Sequence, residues 1–135
     1  MVKDRCLCLH VQRAARALAR RFDEELRPFE LTNGQFSLLM SLNRPEPPPM
    51  GPVASLLAMD RTTLTAALKP LERRGLVEID HDPSDRRSRV LILTEKGRNL
   101  LTRALPVWQR THEDIEKLVP SVDWESLRKN LRAIS

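Results

Sequence analysis

Two groups of side chains in the middle of the chain carry chemistry suited to a large polar partner. Arg61, Thr62, Thr65, Lys69 and Arg73 recur at helical intervals, and hydroxyls mixed with cations hydrogen-bond base edges and phosphates. Further on, Arg86, Arg87 and Arg89 crowd together beside Asp85. Arginines concentrated at a turn can enter a minor groove, and Asp85 is expected to brace one guanidinium through a bidentate pair. An ordinary solvated turn gives no reason for three cations so close together.

A third group, Cys6, Cys8 and His10, invites a metal or redox reading. On a helix Cys6 and His10 share a face while Cys8 points nearly opposite, so three ligands do not converge and no metal site is expected. Two cysteines this close cannot build a disulfide framework, which suits a reducing compartment. Cys8, close to a helix start, is left as a candidate redox residue, with a buried or interface thiol as the plainer alternative. For catalysis the residues are missing. There is no glycine-rich phosphate loop and no nucleophile elbow, and the histidines His10, His81 and His112 are widely separated, so neither an enzyme nor a cofactor is expected.

Composition narrows the partner. The 135 residues suit one domain, and 41% hydrophobic with 30% charged residues is ordinary globular usage. Lys and Arg number 23 against 18 Asp and Glu, for a net charge of +5 and a pI near 9.9. Residues 61–103 hold ten basic and six acidic residues, so most of the excess lies in that segment and favours a polyanion. Aromatics are 4% and tyrosine is absent, which weakens a single-strand binder built on stacking platforms. No apolar run approaches the roughly 18 residues of a membrane span, and no signal-type apolar core follows the charged first residues. No membrane association and a cytoplasmic location are therefore expected.

The elements that would present these groups follow from periodicity. Leu7, Val11, Ala14, Ala15, Leu18, Phe22 and Leu26 mark one face of a helix from about Cys6 to Leu26, which must end before Pro28. Thr32 caps a short helix to about Leu42 with Phe36, Leu39 and Met40 inward. Pro45–Pro49 is expected to be a rigid connector without regular structure. A two-turn helix is expected over Pro52–Met59, burying Val53, Leu56 and Leu57. Asp60 caps the next, Arg61–Arg74, with Leu64, Leu68 and Leu71 inward and Gly75 at its left-handed end; Pro70 should kink or tighten its last turn. Leu76–Asp80 and Arg89–Leu93 alternate as strands around the turn-forming Asp82–Asp85. Thr94 caps a long helix, Glu95 to about Leu118, which Pro106 is expected to bend, and a final helix spans Asp123–Ala133.

The predicted fold is mainly α with a small β-hairpin: a winged helix-turn-helix lobe plus a helical dimerisation region. In that arrangement the second helix enters the major groove and the hairpin follows the backbone. The terminal helices keep apolar faces that packing between two chains would bury. The competing class is a winged-helix module that binds only protein, since fold alone does not fix function; a thiol-based peroxide sensor using Cys8 is the remaining alternative.

The chain also resembles the multiple-antibiotic-resistance regulator (MarR) family of bacterial transcription factors. The resemblance rests on Leu31-Thr32-Asn33-Gly34-Gln35-Phe36, Asp60-Arg61-Thr62-Thr63-Leu64-Thr65, Leu71-Glu72-Arg73-Arg74-Gly75-Leu76-Val77, Asp82-Pro83-Ser84-Asp85-Arg86-Arg87 and Leu93-Thr94-Glu95-Lys96-Gly97. It implies a recognition helix opening with Arg61, Thr62 and Thr63, and a homodimer held by the first, fifth and sixth helices. It further implies an allosteric repressor or activator of a pseudo-palindromic double-stranded DNA operator, modulated by a small-molecule or oxidative signal. Residues 1–30 and 94–135 would dimerise and residues 31–93 would bind DNA. Pro70 departs from the usual helix pattern, and the tyrosines that hold the reactive thiol in peroxide-sensing members have no counterpart here.

Overall fold

The computed structural model describes residues 1–135. Helices α1 (Val2–Arg5) and α2 (Leu7–Leu26) lead into a 3-10 turn at Arg27–Phe29 and then α3 (Asn33–Ser41), α4 (Met50–Leu56) and α5 (Arg61–Arg73). A hairpin of β1 (Val77–Asp82) and β2 (Asp85–Leu93) follows, then α6 (Glu95–Leu118) and α7 (Trp124–Ala133). The helix expected from Cys6 is preceded by a separate turn, α1, with Cys6 extended between them at φ −72° and ψ 103°. Nothing in α1 is buried, and so it leaves no apolar periodicity in the sequence.

Local chemistry sets the helix ends. Thr32 and Gln35 form a reciprocal capping box at the start of α3. Asp23 in α2 accepts from the Asn33 backbone amide at 2.7 Å and from its side-chain amide at 2.9 Å, which ties α2 to that cap. Asp60 and Thr94 accept from the third backbone N–H of α5 and α6 respectively. Gly75 takes φ +73° after α5, the left-handed conformation that glycine tolerates best. Gly97 is constrained differently: a Cβ there would overlap the Leu76 carbonyl oxygen and stand 2.7 Å from Leu93 Cδ1. Pro70 and Pro106 remain inside α5 and α6, which run on to Arg73 and Leu118.

Three expectations change. Leu38 is buried because α3 packs against both α2 and α6 and is covered on more than one side, while Met40 is 38% exposed. Helix α4 starts two residues early, with Pro52 in its first turn, where a proline N–H is not missed. Its buried residues are Val53 and Ala54; Leu56 is 61% exposed and Leu57 half-buried, and Ala58 at φ 53° closes the turn. The proline run is partly regular: Pro48 is buried, its carbonyl accepts from Leu91 N at 2.9 Å, and Pro49 bridges Val90. A proline at a strand edge can use its carbonyl without needing an N–H, so this segment extends the hairpin.

The strands also run farther toward the tip than alternation suggests. Their register holds from Val77 opposite Leu93 to His81 opposite Arg89, then shifts so that Asp82 faces Asp85. Arg86, Arg87 and Ser88 form the irregularity, which twists and re-aims a strand end. Nineteen buried apolar residues make one core. It joins Phe22 and Leu26 of α2, Leu64, Leu68 and Leu71 of α5, Leu91 and Leu93 of β2, and Leu101, Ala104 and Ile115 of α6. Trp108 stacks on Phe36 with centroids 5.6 Å apart, fastening the long helix to the lobe.

Candidate nucleic-acid interface

The inward set Leu64, Leu68 and Leu71 is fully buried, and this orients the rest of α5. Arg61, Thr62, Thr65, Lys69 and Arg73 are all exposed, and the first four of these with Ala66 line one shallow outer surface. Thr65 Oγ1 donates to the Arg61 carbonyl at 2.8 Å, which leaves its acceptor lone pairs free on an exposed side chain. Such a side chain can accept from a base amino group or touch a thymine methyl. Thr63 stands apart from this surface. At 3.6 residues per turn it lies on roughly the opposite side of the helix from Thr65, and its amide donates to Asp60 at 2.7 Å.

The wing arginines divide in the same way. Arg87 and Arg89 meet Arg61 and Thr65 around one groove of about 490 Å³, which is completed by Ser88 and the Pro49–Pro52 segment. Arg86 and Asp85 lie at the exposed tip outside that lining. Asp85 does not brace a guanidinium: its Oδ1 accepts from the Arg87 backbone amide at 3.0 Å. Asp82 accepts from the Ser84 amide at 3.0 Å and hydroxyl at 2.8 Å. Both acids therefore shape the turn, as short carboxylates do when they mimic a backbone acceptor, and the arginine side chains keep their donors free.

Hydrogen bonds set the acid behaviour of the caps. Asp60 is held below the usual carboxylate range chiefly by the Thr63 backbone amide. Asp82 is lowered by the Ser84 amide and Asp123 by the Ser126 amide. In each case the donor favours the charged form.

Residues that sequence reasoning did not single out complete the groove. Ser88 and the Met50–Gly51 corner enter it because the proline segment bridges to β2, a pairing without a periodic signature. At the N-terminus, Cys8 is exposed and Cys6 half-buried, both as free thiols. His10 Nδ1 lies 2.8 Å from the Cys6 carbonyl oxygen, and no cluster of three or more His, Cys, Asp or Glu is placed to hold a metal ion. No helix is long and apolar enough to cross a membrane.

Known proteins resemble the chain in sequence and in fold. The family model described as MarR family matches residues 31–88. The chain is 38% identical over 97 residues to the HTH-type transcriptional regulator TtmR of Methylorubrum extorquens, a match covering 72% of this chain and half of that protein. Among solved structures, the transcriptional repressor CouR bound to a 23-mer DNA duplex superposes with a TM-score of 0.85 at 33% identity, covering 98% of this chain and 94% of that one. The Mycobacterium tuberculosis transcriptional regulator MosR in complex with DNA gives 0.82 at 35% identity, covering 96% and 92%.

Proposed function

The chain belongs to the MarR family of transcriptional regulators, and from that premise we propose that it acts as a cytoplasmic homodimeric repressor of a pseudo-palindromic DNA operator. The observation that carries the reading is the convergence of Arg61 and Thr65 from α5 with Arg87 and Arg89 from the wing on one groove. Arg61, Thr62 and Thr65 meet base edges in the major groove; Lys69 and Arg73, farther along α5, meet phosphates; Arg86, Arg87 and Arg89 follow the backbone toward the minor groove. Asp85 serves indirectly, by setting the turn that presents Arg87, and Thr63 through its capped amide.

Residues 1–30 and 94–135 form the dimerisation region and residues 31–93 the DNA-binding lobe. The reading is supported by apolar side chains that a single chain leaves open: Leu7, Leu9, Val11 and Leu18 on α2, Leu118 on α6, Leu127 and Leu131 on α7, and Ile134 just past its end. Helix α7 buries no residue within its own chain. Burial in a second copy removes such faces from water.

Release from DNA follows an effector that is a small apolar molecule. Its support is an open, mostly apolar hollow of about 310 Å³ lined by Phe36, Met40, Leu56, Leu57 and Trp108 together with Ser37 and Ser41, where α3 and α4 of the lobe meet α6. The test of the DNA reading is selection from a random duplex pool followed by footprinting. Recovery of a two-fold symmetric site with half-sites about one helical turn apart is expected; an unenriched pool, with the protein folded and dimeric, would leave a protein-interaction module as the better account.

A further inference from the structure

Adjacent arginines at the end of α5 have different surroundings. Arg73 is exposed on the outer side, whereas Arg74 is half-buried and turned away from the groove. Its Nη1 donates to the Glu30 carbonyl at 2.6 Å and its Nη2 to the Phe29 carbonyl at 3.3 Å. Those carbonyls lie at the end of the 3-10 turn that follows α2, a corner closed by Glu30 in the left-handed region at φ 54°. The carbonyl of Arg74 itself accepts from Lys96 Nζ in the first turn of α6 at 2.8 Å. One residue on, the Gly75 carbonyl accepts from Thr94 Oγ1 at 2.7 Å.

The C-terminus of α5 is thus bolted to the corner that follows α2 and to the start of α6. We infer that Arg74 is a positioning residue that fixes the direction of the DNA-contacting helix relative to the dimerisation helices, and so sets the half-site spacing the dimer accepts. The physical reason is the rigid planar fork of guanidinium, which holds two carbonyls in fixed relative positions where an ammonium holds one without direction. Adding one base pair between half-sites moves them about 3.4 Å apart along the axis and rotates one about the other. A firm joint therefore discriminates between spacers, and a loose one tolerates several. The inference rests on the DNA reading proposed above.

The test uses the full-length wild type, Arg74→Met, Arg74→Lys and Arg73→Ala, titrated against the selected duplex and versions with the central spacer one base pair longer or shorter. Salt dependence and thermal midpoints are measured in parallel. Wild type should prefer its own spacing by about tenfold or more, and Arg74→Met should bind all three within about threefold, with an unchanged salt slope. Arg74→Lys keeps the charge but loses the fork, and should follow Arg74→Met. Arg73→Ala should weaken all three duplexes alike and reduce the salt slope. Intact spacing discrimination in Arg74→Met, even with a lower thermal midpoint, would overturn the inference and leave a purely structural contact. A reduced salt slope restored by Arg74→Lys would overturn it in favour of a phosphate contact. Wild type that binds no duplex would instead sink the DNA reading, and this inference with it.

Discussion

Arg61, Thr65 and Arg87 open onto one groove from two elements, yet their losses should differ in kind. A side chain that touches a base edge carries about 1–3 kcal/mol of discrimination, whereas a backbone contact weakens all sequences alike. Thr65→Ala and Arg61→Ala should therefore relax preference at one or two base pairs, and Arg87→Ala should lower affinity nearly uniformly across a library of single-base operator variants. Uniform loss from Thr65→Ala would move it out of the base-reading set. Asp60 allows a separate test at the head of the same helix. Its carboxyl is depressed in the folded chain by the Thr63 amide, so its contribution is present above the unfolded carboxylate range and disappears as pH falls through the folded value, below about pH 4. Asparagine caps as well as aspartate. Asp60→Asn should keep the wild-type thermal midpoint near pH 7 and show a shallower decline between pH 5 and 3; an identical decline would show that this cap does not titrate with folding.

Among the elements, those with a strong periodic or capping signal were readable from the residues alone. Leu64, Leu68 and Leu71 specify the buried side of α5, and so the arginines and threonines outside it follow from the sequence. Asp60, Thr32 and Thr94 marked helix starts through chemistry that operates within one turn of chain. The parts that escaped depend on distant partners. Pro48 looks like a structure breaker until Leu91 supplies the N–H its carbonyl needs; Leu38 falls outside the inner face until α3 is packed from two sides; Asp85 resembles a guanidinium brace until the turn brings the Arg87 amide to it. Arg74 could not be told from Arg73 by type or position, because its partners lie 44 and 45 residues away. The close seating of α6 on the end of the lobe gives a prediction of its own. Gly97→Ala puts a methyl onto the Leu76 carbonyl oxygen, a rigid backbone neighbour, and should cost about 1–3 kcal/mol of folding stability in denaturant titration of the full chain. A neutral effect would mean that the α6 start has freedom to move.

For the whole molecule, the question is what two chains achieve that one cannot. Leu127 and Leu131 on α7 and Ile134 at its end are open, and burying each apolar side chain of this size contributes about 1.5–3 kcal/mol. Removing residues after Trp124 should therefore convert a dimer into monomer or aggregate in sedimentation velocity at tens of micromolar, whereas the full chain stays dimeric; a full-length monomer at that concentration would refute the assembly. The proposed dimer would double the phosphate contacts, and the resulting salt dependence is the most direct measure of the central claim. Fluorescence anisotropy of the full-length protein with its selected duplex, repeated from 50 to 200 mM salt, should show affinity falling by about 10³-fold or more, as expected for six or more neutralised phosphates. Arg87→Ala should flatten that slope by about one phosphate for each wing that loses its contact. Affinity independent of salt, or a slope that Arg87→Ala leaves untouched, would contradict the account of helix and wing as one DNA-binding surface.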